Sequence, residues 1–351
     1  MPYCRSPRAS TAIARAAFRC VAALGLSALL LHVWLAPVVQ AETWAERLGY
    51  PADRKVLVLH AHEMGMCYET NSAIARLLQA GIIRSASAMA PCPWFADAAD
   101  WSSHHAEADL GLELTINSEF DSYRWRPIAG DPLVATLLDS NRFFWQTTIQ
   151  TMVNASAEDV ERELLAQLAL ARSSGLRPTH LTTHLGTLVT RPDLIEVYLR
   201  LARQQWIPAM VVEVTPEHIE RFRRQGFPLP DDLIQLFEDY PLPKLDDLRI
   251  MPPADTYEEK KQALLTVIRD LPPGLTQIAL RPAAESDALK RITPDWQQRV
   301  WEAQLFADKD VQAALHGDDV VLTDWRDIMQ RFEGRPPLAE SSSPPRPSES
   351  Q

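Results

Sequence analysis

Short runs of branched apolar residues alternate with stretches of helical periodicity along most of this chain, and that alternation narrows the fold more than any other feature of the sequence. Strand candidates are Val56–His60, Ile82–Met89, Leu110–Ile116, His180–Thr183, Met210–Val214, Thr276–Leu280 and Val320–Thr323. Amphipathic stretches lie between several of them. Glu69–Ala80 is one. Ser156–Arg172 is the clearest, with Ser156 as a cap, Asp159 three residues on, and Val160, Leu164 and Leu168 on one face. Strand after helix after strand requires crossover connections and hence a parallel sheet. Seven or eight such units close a barrel, so residues 42–333 read as a single α/β domain, a distorted (β/α) barrel, with a doubly wound sheet as the alternative.

The two ends read differently. Residues 1–41 carry Arg5, Arg8, Arg15 and Arg19 without an acid, then the apolar stretch Val21–Val39, then small residues at Val39-Gln40-Ala41. That is the pattern of a secretory signal, although the apolar stretch is close to the length of an uncleaved anchor. Cleavage implies a periplasmic or secreted protein without stable membrane insertion. It also takes the formal charge from −11 to −15, which argues against a nucleic-acid partner. Cys67 and Cys92 remain, either as a disulfide or as two buried thiols. Residues 334–351 are rich in Pro and Ser, with almost no large apolar side chains, and read as a disordered tail.

Chemistry-bearing residues cluster at two predicted strand ends. His60-Ala61-His62-Glu63 follows the first strand, and His180-Leu181-Thr182-Thr183-His184 forms the fourth. In a parallel α/β sheet, carboxyl strand ends are where sites are built. Two intervening stretches, Asn117–Trp145 with its many aromatics and Thr215–Pro253 with its prolines and charges, read as long loops over the mouth. Aromatics in such a loop suit stacking on sugar rings, or they pack a satellite core, which is the better reading for Phe143–Trp145. His104 and His105 read as solvated. Glu119 and Arg124 read as a surface salt bridge rather than substrate contacts.

The order of motifs resembles the YdjC-type carbohydrate deacetylases, also called the ChbG/HpnK family. The carriers are HAHEMGMCYETNSAIARLLQAGIIRSASAMAPCPWF, ADLGLELTINSEF with YRW, PTHLTTHLGTL, LRPAAES and WQQRVWEAQLF, from about Lys55 to Asp327. The resemblance implies a distorted β/α barrel and a divalent metal used to hydrolyse the N-acetyl group of an amino sugar or oligosaccharide. It also implies roles by position. His62 stands where the family has its general-base Asp, and Glu63 where it has a ligand Asp. Glu113 stands for a ligand His, Thr182 for an Asp, and Arg281 for the acid His before Pro282. His184 alone keeps both position and type.

Taken by residue type, Glu63, Glu113 and His184 are three sensible metal ligands, and two carboxylates with one imidazole suit Mn, Mg or Zn. The alternative is that Glu63 and Glu113 pair with Arg281 or another cation. His62 can take a proton from the attacking water. Arg281 stays protonated, so it can hold an oxyanion or an acidic group but cannot act as an acid. The proton for the leaving amine is left to His180, Tyr68 or water. The sequence thus supports a metal-dependent deacetylase or, alternatively, a catalytically inactive carbohydrate-binding relative. A homodimer is left open.

Overall fold

The computed structural model describes residues 42–224 and 230–335. The signal read in residues 1–41 and the tail beyond Arg335 lie outside the described residues. Seven parallel strands form one sheet: β1 (Lys55–Met64), β2 (Ser85–Ala88), β3 (Asp109–Leu114), β4 (Leu181–Thr183), β5 (Asp247–Ile250), β6 (Gly274–Leu280) and β7 (Val320–Leu322). The order is β4-β3-β2-β1-β6-β5, with β7 against the start of β1. Helices occupy the crossovers, as an all-parallel sheet requires. Among the described residues no helix is long and apolar enough to cross a membrane.

The sheet curves into a distorted barrel. Its two outer strands, β4 and β5, are linked by one irregular segment that bridges Leu181 to Ala209 and Val212 to Leu245. Met210 N donates to Leu181 O at 2.8 Å, and Leu245 N donates to Val211 O at 2.9 Å. The expected strand Met210–Val214 is therefore present only as this thin link.

β1 is the central strand and runs further than its apolar stretch foretells, through His60, His62 and Glu63 to Met64. Its alternate residues join different clusters. Val56 and Val58 pack with Trp44, Leu245, Leu275 and Trp325, whereas Leu57, Leu59 and Ala61 pack in the larger core beneath the helices. The Val56–Val58 face continues through His60 and His62. This face grades from apolar at the amino ends of the strands to polar at their carboxyl ends, which is where a barrel of this kind can hold a site.

The helix Ala157–Ser173 shows how an outer element fixes the mouth. Ser156 Oγ caps it by accepting from Asp159 N at 3.2 Å, and Val160, Leu164 and Leu168 are buried as their spacing predicts. Three polar residues, Asp159, Glu163 and Gln167, share that buried face. Gln167 bonds the backbone of Thr115 just past β3, and Glu163 accepts from Ile128 N and Ala129 N at 3.0 and 2.9 Å.

Several loop expectations need correction. Phe120, Trp125 and Phe144 are buried in the main core, so these rings of the Asn117–Trp145 stretch pack rather than offer themselves to a sugar, as was expected for Phe144 but not for the other two. The Thr215–Pro253 stretch holds two helices, Pro216–Arg224 and Asp231–Glu238, and strand β5, rather than a long loop. Its apolar positions were masked by the surrounding prolines and charges. Cys67 and Cys92 are free and buried.

One glycine of β3 is needed by what lies opposite. A Cβ on Gly111 would stand 2.5 Å from His180 Nε2, inside the ring's van der Waals envelope. That ring cannot retreat, because it stacks on Trp325 and meets His60 edge-on. Gly111→Ala should cost about 1–3 kcal/mol, as overpacking of a filled core does. A urea midpoint unchanged from that of the native chain would contradict this packing.

Candidate active site

Four strands deliver the polar residues to one place. His62 and Glu63 come from the end of β1, Glu113 from β3, His184 from the residue after β4, and Arg281 from the residue after β6. The β1–β2 register slips between Ala61 and Met64, and in that bulge Glu63 adopts φ 71°, the left-handed region that favours glycine. Such strain persists only where surroundings enforce it. Here a bond from Glu63 N to Glu113 Oε2 at 2.7 Å does so, followed by Gly65 at φ 90°. The backbone after His184 is also left-handed, at Leu185 and Gly186.

Glu113 is the hub. It is 1% exposed. Its Oε2 accepts from Glu63 N and from Ser87 Oγ at 3.1 Å, and lies 3.3 Å from His62 Nδ1. Its Oε1 lies 3.0 Å from His184 Nδ1. Burial by itself pushes the Glu113 carboxyl up. His62 and His184 outweigh that and hold it well below the usual range. Below Glu113, Thr182 Oγ1 donates to Ser87 Oγ at 3.0 Å, and His60 bridges Ser85 and Ser87 at 2.9 and 3.0 Å. Burial, reinforced by His62 and His180, drives the His60 pKa well below the imidazole norm, so His60 is neutral.

The other nitrogen of His184 meets a residue whose position the sequence did not reveal. Nε2 lies 3.0 Å from Glu119 Oε2. Glu119 is not in a surface salt bridge with Arg124. Arg124 instead binds Asp139 at 3.0 Å and the Ser118 hydroxyl, and so braces the turn that points Glu119 inward. Burial lowers the His184 pKa, but Glu119 and Glu113 more than reverse this and lift it to about 10.

Glu63 faces the opposite wall. It forms a short, fully buried ion pair with Arg299, from the helix Trp296–Leu305, while Arg281 Nη1 lies 3.9 Å away. Burial raises the Glu63 carboxyl, and Arg299 followed by Arg281 brings it below its ordinary value. Pairing of Glu63 with a cation is thus present, but the main partner is Arg299. The sequence did place Arg299 within a family-like motif, without a role. Three residues on, Glu302 receives Lys260 at 2.8 Å and Arg281 N at 2.6 Å, anchoring the Arg281 backbone while its side chain remains 37% exposed.

The site-forming donors therefore differ in part from those expected. Atoms of Glu63, Glu119 and His184 lie within 4.8 Å of one another and make a candidate cation site. Glu113 stands behind them with both oxygens engaged. A carboxylate and an imidazole with a second carboxylate are acceptable donors for Zn, Mn or Mg. An imidazole whose Nδ1 is held by a carboxylate, leaving Nε2 toward the site, is the usual support of a metal-binding histidine. The donor set fits a divalent ion. His180 does not belong to this group. It is fully buried below His60, 3.6 Å from Asp109, and cannot serve a substrate in the mouth.

With this geometry in place, comparison with known proteins is decisive for ancestry. Residues 56–317 match the family described as YdjC-like protein. The chain belongs to the YdjC-like family. A carbohydrate deacetylase of Thermus thermophilus is 34% identical over 264 residues, covering 75% of this chain and 89% of that protein. A carbohydrate deacetylase of Thermoanaerobacter pseudethanolicus is 24% identical, covering 77% and 98%. The crystal structure of a candidate cellobiose-phosphate cleavage protein from Enterococcus faecalis superposes with a TM-score of 0.64 at 22% identity, covering 78% of this chain and 98% of that one. It has the same fold, as the sequence led us to expect.

The two arginines beside Glu63 should behave differently. Arg299→Ala strands a buried carboxylate and should cost about 3–5 kcal/mol, as loss of one partner of a buried pair does. Arg281→Ala removes a distant, partly solvated contact worth under about 1 kcal/mol. Chemical denaturation of both variants measures the contrast, and equal small losses would show that Arg299 does not neutralise Glu63.

Proposed function

We propose that this chain is a carbohydrate deacetylase, a hydrolase that removes the N-acetyl group of an amino sugar or oligosaccharide at the carboxyl face of its barrel. The observation that carries the reading is the convergence of Glu63, Glu119 and His184, backed by Glu113, in a barrel of the YdjC-like family. Its relatives from Thermus thermophilus and Thermoanaerobacter pseudethanolicus are carbohydrate deacetylases. Glu63, Glu119 and His184 would hold a divalent ion, with Glu113 in support rather than as a ligand. When bound, such an ion supplies Lewis-acid polarisation of the amide carbonyl and a more acidic water.

The chain's own residues do the remaining work. Glu113 holds His62 through Nδ1, which leaves Nε2 free to take the proton of the attacking water. His62 can then return that proton to the departing amine, which answers the problem left by an arginine at position 281. Arg281, cationic and partly exposed, stabilises the negative charge that develops on the carbonyl oxygen. Glu113 also fixes the ring plane of His184. Export to the periplasm or beyond belongs to the same reading and is supported by the basic and apolar segments within residues 1–41.

A second reading has one observation in its favour. The buried Glu63–Arg299 pair already neutralises a carboxylate that an ion would have to share. On that reading the chain binds acetylated sugar without cleaving it. Acetate release from N-acetylated amino sugars separates the two. The hydrolase reading predicts turnover that falls by about 10²-fold or more in His62→Ala, the scale of general acid–base catalysis, and that is abolished in His184→Ala. Saturable sugar binding with no acetate released by the native protein would establish the second reading instead.

A further inference from the structure

A groove of about 290 Å³ opens at the amino end of the barrel, on the face away from the candidate site. It is lined by Pro178, just before β4, by Trp206, Ile207 and Pro208 after the helix Pro192–Gln205, and by Trp325 and Met329 of the helix Trp325–Phe332. Arg326 and Arg335 also reach it, but both are engaged. Arg326 donates to the carbonyls of Ala108 and Ala106 at 3.1 and 2.6 Å, and Arg335 lies 2.9 Å from Glu333. The groove therefore offers an apolar surface rather than a charge for an anion, and its volume stands at the lower end for a small-molecule cavity.

Trp206 is out of place by the rules of helix ends. It stops the helix Pro192–Gln205 at φ 53° and ψ 42°, the left-handed position that glycine fills without strain. A large side chain there is strained, and core burial does not repay the strain, because the residue is 52% exposed. Its Nε1 donates to Glu333 Oε1 at 3.1 Å, which holds the ring at the edge of the groove. A strained, exposed ring fixed at the rim of an apolar groove is a recognition surface.

The chain itself is delivered to that rim. The helix Trp325–Phe332 ends in a double turn: Gly334 N donates to Arg331 O at 3.0 Å, and Arg335 N donates to Gln330 O at 2.9 Å, with Gly334 left-handed at φ 69°. This turn reverses the chain at the helix end, and Glu333 joins it to Trp206 on one side and to Arg335 on the other. The next residues, Pro336-Pro337-Leu338, lie outside the described residues. Proline pairs prefer the polyproline II path, whose rise of about 3.1 Å per residue lets three residues reach about 9 Å. That span crosses a groove of this size, and proline segments on this path are the usual occupants of aromatic-lined grooves.

We propose that the groove is the docking site of this chain's own Pro336-Pro337-Leu338 segment, with the prolines against the Trp206 ring and Leu338 in the groove. The segment starts at the rim, so covalent attachment spares it most of the entropy that a separate partner would lose on binding. The contact seals the floor of the barrel over Trp325, whose ring stacks on His180 beneath the site. This inference is independent of the deacetylase reading.

Acrylamide quenching of tryptophan fluorescence tests it on the full chain, on a chain ending at Arg335 and on full-length Leu338→Asp, each with Trp206 retained and with Trp206→Gly. Glycine suits the left-handed position, so that variant should fold, and an unchanged circular dichroism spectrum verifies it for every chain. Truncation and Leu338→Asp should each make one further indole accessible when Trp206 is present and none when it is replaced. The peptide PPLAESSSPPRPSESQ, added at millimolar concentration to the truncated chain, should restore protection. Unchanged quenching after truncation overturns the proposal, as does a rise that persists in Trp206→Gly. Protection that is lost on dilution, together with dimers in sedimentation, would assign the groove to the tail of a second copy and also overturns it.

Discussion

A buried carboxylate must find donors or take up a proton, and Glu113 is the point where this protein meets that demand with donors. Its two oxygens gather the backbone of Glu63, the hydroxyl of Ser87 and the rings of His62 and His184. Those partners belong to β1, β2 and the end of β4, so with its own β3 this one side chain ties four consecutive strands at their carboxyl ends. The strained turn at Glu63, the orientation of His184 and the aim of His62 all follow from it. A neutral residue of the same size keeps at most one acceptor oxygen for these partners and leaves Glu119 as the carboxylate facing His184.

The opposite wall follows a complementary logic. Arg299 and Lys260 are buried cations, and each is held by a buried carboxylate, Glu63 and Glu302 respectively. Pairs of this kind add little net stability but fix geometry, since removal of one partner leaves an unmatched charge in a dry interior. Glu63 therefore stands between two demands, the cation already beside it and the ion that its neighbours Glu119 and His184 are arranged to receive. That competition is the physical content of the choice between a hydrolase and a binding protein.

Much of this was legible in the sequence. Parallel strands declared themselves through uninterrupted apolar runs such as Val56–Leu59, and the helix Ala157–Ser173 through its capping serine and four-residue repeat. His62, Glu63 and His184 were singled out at strand ends, Glu113 and Arg281 through the family resemblance, and the structure places the five side chains around one mouth. Glu119 was missed because it lies six residues beyond Glu113 in an irregular loop whose path depends on Gln167, Glu163 and Arg124, none of which signals its partner locally. Arg299 lies within the motif WQQRVWEAQLF, where a single cation in a helix normally reads as solvated. Strand β5 and the two helices before it were hidden by prolines and charges, and the link at Ala209–Val212 is too short to hold the expected strand.

The most direct test of the central claim, that Glu63, Glu119 and His184 form an ion site supported by Glu113, is the metal content of the purified, untagged protein beside that of His184→Ala. The account predicts about one divalent ion per chain in the native protein, from Zn, Mn or Mg, and its loss in the variant, since His184 contributes one of three ligands. No ion in the native protein after incubation with all three metals would contradict the account and leave Arg299 as the permanent partner of Glu63.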